Sequence, residues 1–553
     1  MSKHDAASVP DRLREAGGLL AGVARQVARE AGVPEADVYG VGSFYHLLAR
    51  PDAKVRVCTG LSCLLGGAQA VLDAARAAGL PVEGASCLAG CDVPPAVLRD
   101  RRTLPLVTVE DVQRAGADWR LLRSAAIGAS GSLDVAGVAV AADVAQPEVE
   151  WKGAVGPADA ADGALALDLC GAQQALGAAF HRARELGPEG VIAALEAAGL
   201  QGRGGAGFPA HIKWKGVRSQ PVTERYVVLN ADEGEPGTFK DRECMLRRPD
   251  LLLEGLAIAA FAVGAQECYL YLRGEFEVPW GIVQRAIDAA HASGVYGDIR
   301  FHMHAGNGAY ICGEETALLE ALEGKRGMPR LKPPFPVEVG LWNKPTLIHN
   351  VETISCVPGI VQRGGAWFRA LGRTEPGTKL YCVSGHVARP GTYELPLGVT
   401  LDELVAEAGG YIGTLKAFSP GGASSGFLPA TMRDVPLDFG GLGKLGSMLG
   451  SAGVVVLNDT VDMRWAAAQQ LRFFEDESCG QCAPCRIGTR YLRESVDRHA
   501  RGEVLDGPLT HVADVAWQMN EGSICGLGQA APLPLTSALK YFPADFPADA
   551  RRT

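Results

Sequence analysis

The sequence has little of what a nucleic-acid or membrane protein needs. Basic residues are in the minority, 53 Lys and Arg against 63 Asp and Glu, for a formal net charge of −10. A phosphate backbone is therefore excluded as the expected partner, because that affinity rests on clustered Lys and Arg. Long apolar runs are missing too. The best one, Leu251 to Val263, is too short to span a bilayer and carries Glu254. The opening residues Met1-Ser2-Lys3-His4-Asp5 have no apolar signal core. No direct membrane insertion and a cytoplasmic location are expected. Neither an internal repeat nor a low-complexity tract occurs.

What the chain has in quantity is glycine and clustered cysteine. At 553 residues it is too long for one core, so three or four domains are expected. Its 70 glycines suggest several close approaches of backbone to ligand. In a reducing compartment clustered cysteines read as metal ligands rather than disulfides. Eight of the 14 fall into two sets of four, and the other six, at positions 170, 244, 268, 312, 356 and 382, read as small buried apolar residues.

The N-terminal set is Cys58-x4-Cys63 and, twenty-three residues on, Cys87-x3-Cys91, with Gly60, Gly66, Gly67 and Gly90 alongside. Small neighbours let backbone amides approach cluster sulfurs, which favours a [2Fe–2S] centre. Zinc is the alternative, although zinc knuckles prefer two-residue gaps and often use His, and none lies nearby in sequence. The C-terminal set is Cys479-x2-Cys482-x2-Cys485 with Cys525 downstream. Such a run wraps three corners of a cubane and a distant cysteine supplies the fourth, which indicates [4Fe–4S].

Between these sets the elements alternate. Arg12 to Glu30 shows helical spacing, Val33-Pro34-Glu35 starts a further helix, a strand runs from Lys54 into Cys58, and Ala68 to Ala78 is helical. The pattern suits a small α/β domain over 1–120. Gly128 to Asp162 lacks a period, so 121–164 reads as linker. A larger α/β domain is expected over 165–375, with strands at Tyr226 to Leu229 and Tyr269 to Leu272 and a helix at Ile282 to Ala292. A β-rich, β-grasp-like module follows over 376–455, and a helical domain over 456–553.

Gly202-Arg203-Gly204-Gly205-Ala206-Gly207 satisfies G-x-G-x-x-G, but a Rossmann fingerprint must follow a strand and Val191 to Ala198 reads as helix. A different phosphate cradle is expected, with Arg203 and Lys213 adding positive charge; the alternative is a flexible loop. After the strand at Tyr226 comes Asn230-Ala231-Asp232-Glu233-Gly234-Glu235-Pro236-Gly237. An EF-hand is excluded because Glu235 stands where its loop requires glycine. The carboxylates either bind ligand hydroxyls beyond a strand end or cap a solvated helix start.

Three further stretches, Gly308 to Thr316, Glu323-Gly324-Lys325-Arg326-Gly327 and Lys332-Pro333-Pro334-Phe335-Pro336, join the glycine loop, the acidic turn and the C-terminal cysteines in a pattern that resembles the flavin-bearing 51-kDa-type NADH dehydrogenase subunit of respiratory complex I, over about 165–550. The N-terminal set, with Val38 to Tyr45 ahead of it, resembles the 24-kDa-type thioredoxin-like [2Fe–2S] subunit. Their fusion, and the wording of Pro420 to Gly426, Phe473 to Cys482 and Ser523 to Ala530, is similar to the β subunit of NAD-dependent molybdenum or tungsten formate dehydrogenases.

The resemblance implies FMN contacts at Gly202, Arg203, Gly205, Lys213, Asn230, Asp232, Tyr310, Gly313, Glu314, Asn350 and Thr353. It implies NAD(H) contacts at Phe208, Glu235, Glu315, Lys332 and Phe335, where a ring can stack, a Lys can meet pyrophosphate and a carboxylate can accept from ribose or amine. His349 stands where the family usually has Asn.

No protein acid or base is then required, because the cofactor carries the hydride chemistry. The expected path runs from a catalytic subunit with molybdopterin or tungstopterin and iron–sulfur clusters, through the Cys479 set and FMN, to NAD+, with the N-terminal cluster as relay. Such a chain works only in a hetero-oligomer. A diaphorase module of complex I or of an NAD-linked hydrogenase is the alternative, and a zinc scaffold the reading from another class.

Overall fold

The computed structural model describes residues 8–124, 132–135, 138–141, 154–156, 165–503 and 509–547. Three sheets carry the architecture. The first has the order Val82–Ala85, Val55–Cys58, Val97–Arg99, Arg102–Leu104, with the first pair parallel and the others antiparallel. Cys58 closes the second of these strands, so the first ligand leaves the sheet at a carboxyl end.

Ahead of this sheet the expected helical stretch from Arg12 to Glu30 is two helices, Val9–Glu15 and Val23–Ala31. The break is steric and conformational. Gly17, Gly18 and Gly22 all take positive φ, and a Cβ on Gly18 would meet Pro51 Cβ at 2.7 Å. These helices and the next, Glu35–Gly42, bury Leu13, Val27 and Val38 in a core shared with the central strands and the C-terminal helices, not in the core of the first sheet.

The central sheet is wholly parallel, in the order Arg300–Ala305, Glu267–Leu272, Tyr226–Ala231, Thr346–Asn350. The inner strand Tyr226–Ala231 is buried at almost every position on both faces, as in covered parallel sheets, whereas the edge strand Arg300–Ala305 carries Arg300, His302 and His304 and is mostly only half-buried. Pro249–Val263, the longest apolar run of the chain, is one of the covering helices and is buried along almost its whole length. The stretch read as helix before the glycine loop is Ala178–Ala198, kinked at Gly187.

A six-stranded sheet follows in the order Leu428–Pro429, Leu415–Ser419, Gly453–Asn458, Thr378–Gly385, Gly391–Pro396, Ala154–Gly156. The last of these lies within the stretch read as linker. Most of 121–164 lies outside the described residues, but Ala154–Gly156 pairs in parallel with Gly391–Tyr393, and Ser132–Val135 pairs with Val138–Ala141. Edge pairing needs only backbone groups, so side-chain periodicity could not announce it. Helices Met463–Glu477, Ala483–Ala500, Val512–Gly522, Gly526–Ala530 and Leu533–Tyr541 complete the chain. Of the six scattered cysteines five are buried as expected, whereas Cys170 is exposed. Among the described residues no helix is long and apolar enough to cross a membrane.

The N-terminal domain is seated on the central domain and on the six-stranded sheet by polar contacts. His46 N–H donates to the Gly308 carbonyl at 2.9 Å, Ser62 and Ser384 hydroxyls meet at 2.9 Å, and Arg242 Nη2 pairs with Asp92 Oδ2 at 2.8 Å. Arg242 also donates to the Ala89 carbonyl and holds Glu243 at 3.0 Å. All three charged side chains are buried. Arg242→Ala would strand the Asp92 carboxylate out of water, Glu243 keeping Arg247 at 2.8 Å, a loss of about 3–5 kcal/mol for a broken buried pair. We expect a lowered thermal midpoint and faster proteolysis between the two domains; an unchanged midpoint would mean that this pair does not hold them together.

Candidate functional site

The parallel register places Asn350 directly opposite Asn230, so two amides stand side by side where both strands end. Beyond them lies a cavity of about 380 Å3, lined by Gly205, Asp232, Glu235, Lys240, Tyr310 and Asn350 among others, a volume within the roughly 300–1,000 Å3 of ligand pockets. It sits outside the carboxyl ends of a parallel sheet, where such sheets bind their ligands.

The glycine loop forms one wall. Gly205 takes φ +154 with open space where a Cβ would point, and a Cβ on Gly204 would meet Asn350 Cβ at 2.9 Å. Only glycine lets the backbone close on Asn350 in this way. Arg203 departs from the expected cationic role. Its N–H donates to Thr353 Oγ1 at 2.8 Å, while its buried guanidinium donates to the Pro376 carbonyl at 2.8 Å and lies over the Phe368 ring. Gly202, Arg203 and Thr353 therefore seat the loop and do not line the cavity.

The acidic turn forms the opposite wall, and it is buried rather than a solvated cap. Glu233 accepts from the N–H groups of Asp241 at 2.8 Å and Arg242 at 3.0 Å, capping Lys240–Arg247 from a distance; burial pushes its carboxyl up to about 7. Glu235 accepts from the Tyr310 hydroxyl and from Ser424 N–H at 2.8 Å. Asn230 Nδ2 donates to the Gly313 carbonyl at 2.8 Å. Asp232 is different: its Oδ2 is buried without a partner, and burial pushes the carboxyl well above its usual range. An unpaired buried acceptor costs the fold unless a ligand donates to it. The ribityl hydroxyls of FMN are such donors, so this cavity fits that cofactor.

Four more residues reach the cavity wall that sequence reasoning did not single out. Lys240 lies 2.7 Å from Asp241 Oδ1, 3.1 Å from Glu352 Oε2 and 3.2 Å from Asn350 Oδ1, and Asn350 Nδ2 donates to Asp241 Oδ2 at 2.6 Å. Thr238 and Ser451 line the cavity and join hydroxyls at 2.5 Å. The signal for Lys240, Asp241 and Thr238 was their position just after the acidic turn. Ser451, from another sheet, left none.

The residues implied for the nucleotide divide. Glu314 lines the cavity, and Lys332 bridges it at 2.8 Å to Glu315 at 3.0 Å, while Lys213 holds Glu315 at 2.7 Å. Lys213 thus lies in this ion cluster and not in the cavity lining. Burial would raise the Glu315 carboxyl, but the two ammonium groups outweigh it and hold it at about 2. Phe208 and Phe335 are 46% and 50% exposed, open faces on which a planar ring can stack. His349 faces Trp214, whose Nε1 donates to His349 Nε2 at 2.9 Å; burial depresses its pKa to about 3, so the ring is a neutral acceptor.

Cys58, Cys63, Cys87 and Cys91 are 0–5% exposed and brought together. Among the described residues no three His, Cys, Asp or Glu side chains converge as around a single ion. The thiols are instead linked in sequence, Cys63 to Cys58, Cys58 to Cys87 and Cys87 to Cys91. Contact with Cys58 is the largest influence raising Cys87, which reaches about 12. Backbone N–H groups of Ala89 at 3.3 Å and Gly237 at 3.4 Å point at Cys87 and Cys91 sulfur, as donors do around a cluster.

Cys479, Cys482, Cys485 and Cys525 lie within one another's field. Cys482 and Cys525 cap the starts of Ala483–Ala500 and Gly526–Ala530, and the Gly528 and Leu527 N–H groups face Cys525. That donor set fits a cubane.

The cavity is lined by chain neighbours of one set and by the turn that contacts the other. Gly526, Leu527 and Ala530, which follow Cys525, line it, and the acidic turn that forms its other wall reaches Cys91 through Gly237. A second cavity of about 440 Å3 lies on the Cys87 side and shares Asp232, Gly234 and Tyr310 with the first.

Comparison with known proteins agrees with this layout. Residues 12–119 match the thioredoxin-like [2Fe–2S] ferredoxin family, 195–370 the Nuo51 FMN-binding domain, 380–428 the SLBB domain, and 465–549 the NADH-ubiquinone oxidoreductase-F iron–sulfur binding region. An F-type subunit of NADH-quinone oxidoreductase from Rhizobium meliloti (strain 1021) is 47% identical over 374 residues, 66% of this chain and 89% of that protein. The F-type subunit of the same enzyme from Rickettsia felis (strain ATCC VR-1525 / URRWXCal2) is 43% identical over 369 residues, 64% and 87% of the two. In an NAD+-reducing [NiFe]-hydrogenase in the air-oxidized state, one chain superposes with a TM-score of 0.85 at 30% identity, over 99% of this chain and 94% of that one. With the four family models arranged in this order and 89% of the Rhizobium relative covered at 47% identity, the chain belongs to the family of F-type NADH-quinone oxidoreductase subunits, joined in one polypeptide to a thioredoxin-like [2Fe–2S] ferredoxin.

Proposed function

We propose that this chain is the NAD(H)-facing subunit of a multisubunit redox enzyme, and that the cavity beyond Asn230 and Asn350 is where FMN and nicotinamide nucleotide meet. The observation that carries this is the shared wall: residues beside Cys525 line the cavity on one side, and the turn that contacts Cys91 lines it on the other. When bound, FMN supplies the conversion between hydride, a two-electron unit, and the single electrons of iron–sulfur clusters.

The chain's own residues hold and orient. Gly205 and its neighbours offer backbone amides at one wall, Asp232 accepts from cofactor hydroxyls, and Asn230, Gly313 and Glu314 close the opposite end. Glu235, kept in place by Tyr310 and Ser424, accepts from the nucleotide, while Lys332 meets its pyrophosphate and Phe208 and Phe335 stack its rings. The division at residues 120, 164, 375 and 455 belongs to this proposal.

The electron partner is the finer question. Relatives named for NADH-quinone oxidoreductase and NAD+-reducing hydrogenase support a complex I-like or hydrogenase partner at the Cys479 set. A formate dehydrogenase with a molybdopterin- or tungstopterin-bearing catalytic subunit is the second reading, supported by the wording of Pro420 to Gly426, Phe473 to Cys482 and Ser523 to Ala530. Purifying the complex from its source decides between them. Nickel with hydrogen-driven NAD+ reduction supports the first, and molybdenum or tungsten with formate-driven reduction supports the second.

Three variants test the site. Asp232→Ala should lower FMN retention while leaving the flavin-free protein as stable as before or more so, because a partnerless buried carboxyl is removed; full flavin content would take Asp232 out of the site. Glu235→Gln should raise KM for NADH about 10- to 100-fold, the worth of a charge-assisted hydrogen bond, at unchanged flavin content, and an unaltered KM would count against its placement. Cys482→Ser should abolish the [4Fe–4S] EPR signal and partner-driven NAD+ reduction but spare the N-terminal signal; retention of both would remove that ligand assignment.

A further inference from the structure

The N-terminal cysteine set is completed by a domain to which none of its ligands belongs. Arg273, just past the strand Glu267–Leu272, donates from Nη2 to the Cys87 carbonyl at 2.8 Å and from Nη1 to the Glu233 carbonyl. It is 7% exposed. Its own counter-charge is Glu275, at 3.1 Å from both Nε and Nη2. Burial pushes the Glu275 carboxyl up, but Arg273 outweighs it and keeps the group ionised. Arg242, the other flavin-domain arginine at this loop, is already matched by Asp92 and Glu243.

We propose that Arg273 is a positioning residue for the N-terminal [2Fe–2S] cluster that also holds its midpoint potential up, with Glu275 as the opposing charge. The inference rests on reading Cys58, Cys63, Cys87 and Cys91 as the ligands. Reduction adds one electron, and so one negative charge, to a centre whose ligands are 0–5% exposed. With water excluded, fixed charges act at low dielectric, and net charge, hydrogen bonds and exposure set cluster potentials. A cation anchored to the Cys87 carbonyl therefore stabilises the reduced form, and a carboxylate beside it works the other way. The step is a plain electron transfer from the reduced cofactor to the cluster; no bond to Arg273 forms or breaks, and no proton moves.

Anaerobic redox titration of the reconstituted full chain, followed by EPR, reads both clusters at once, with the [4Fe–4S] signal as internal reference. At a fixed ambient potential Arg273→Gln should lower the reduced-to-oxidised ratio of the N-terminal cluster about tenfold, about 59 mV for a one-electron couple. Glu275→Gln should raise it, and Arg273→Lys, which keeps the charge but not the fork, should stay closer to wild type than Arg273→Gln. Opposite signs for Arg273→Gln and Glu275→Gln establish the electrostatic role, since structural damage has no reason to invert. Shifts of one sign, or none above twofold, overturn it. Should Arg273→Gln fail to hold the cluster, the Glu275→Gln shift decides alone: upward supports the proposal, anything else refutes it. Absence of the N-terminal signal from the wild-type chain would instead defeat the ligand reading.

Discussion

Where the strands Tyr226–Ala231 and Thr346–Asn350 end side by side, the chain leaves the ladder that has paired their backbone groups up to that point. The turn from Asp232 to Gly237 finds its partners inside the protein instead of in water. Glu233 caps the next helix, Glu235 gathers Tyr310 and Ser424, and Gly237 turns its N–H toward Cys91. One short turn thereby links the sheet, the nucleotide cavity and the N-terminal cysteine set. Any displacement of it is felt at all three, because buried polar groups have no solvent to fall back on.

Charge is handled in the same spirit. Lys240, Asp241, Glu352 and Lys379 form a buried network behind the cavity, and burial lowers the Lys379 ammonium to about 8 even beside Glu352. Buried charges survive only when paired, and breaking one partner away is far more costly than the pair is worth. The network therefore acts as a rigid floor for Asn350, whose amide is held by Lys240 on one end and Asp241 on the other. Asp232 differs from these neighbours in keeping a buried oxygen without a protein donor. The surrounding carboxylates are satisfied within the protein, and this acceptor is the exception on which the proposed cofactor contact rests.

The NADH-quinone oxidoreductase relatives match about two thirds of this chain, whereas the hydrogenase chain superposes on nearly all of it. Fusion matters physically because the N-terminal domain docks through Arg242, His46 and Ser62 and places Cys91 within 3.4 Å of the flavin domain's own backbone. In one polypeptide that junction forms without the entropy cost of bringing two molecules together.

Both cysteine sets, the parallel central strands, the β-rich module and the helical C-terminus were legible in the sequence, because ligand spacing and apolar periodicity are local and have few alternative explanations. Asn230, Asp232, Glu235, Tyr310 and Glu314, named through the family resemblance, all line one cavity. The tertiary structure decided what local pattern leaves open. Arg203 reads as a phosphate-binding cation and serves as a buried prop; the stretch read as linker contributes an edge strand; Arg12 to Glu30 breaks at its glycines; Cys170 is exposed; Ser451 and Arg273 reach their sites from elsewhere in the chain. The reason is the same each time: spacing along the chain states which groups are available, but only packing states which of them face one another and which are left without water.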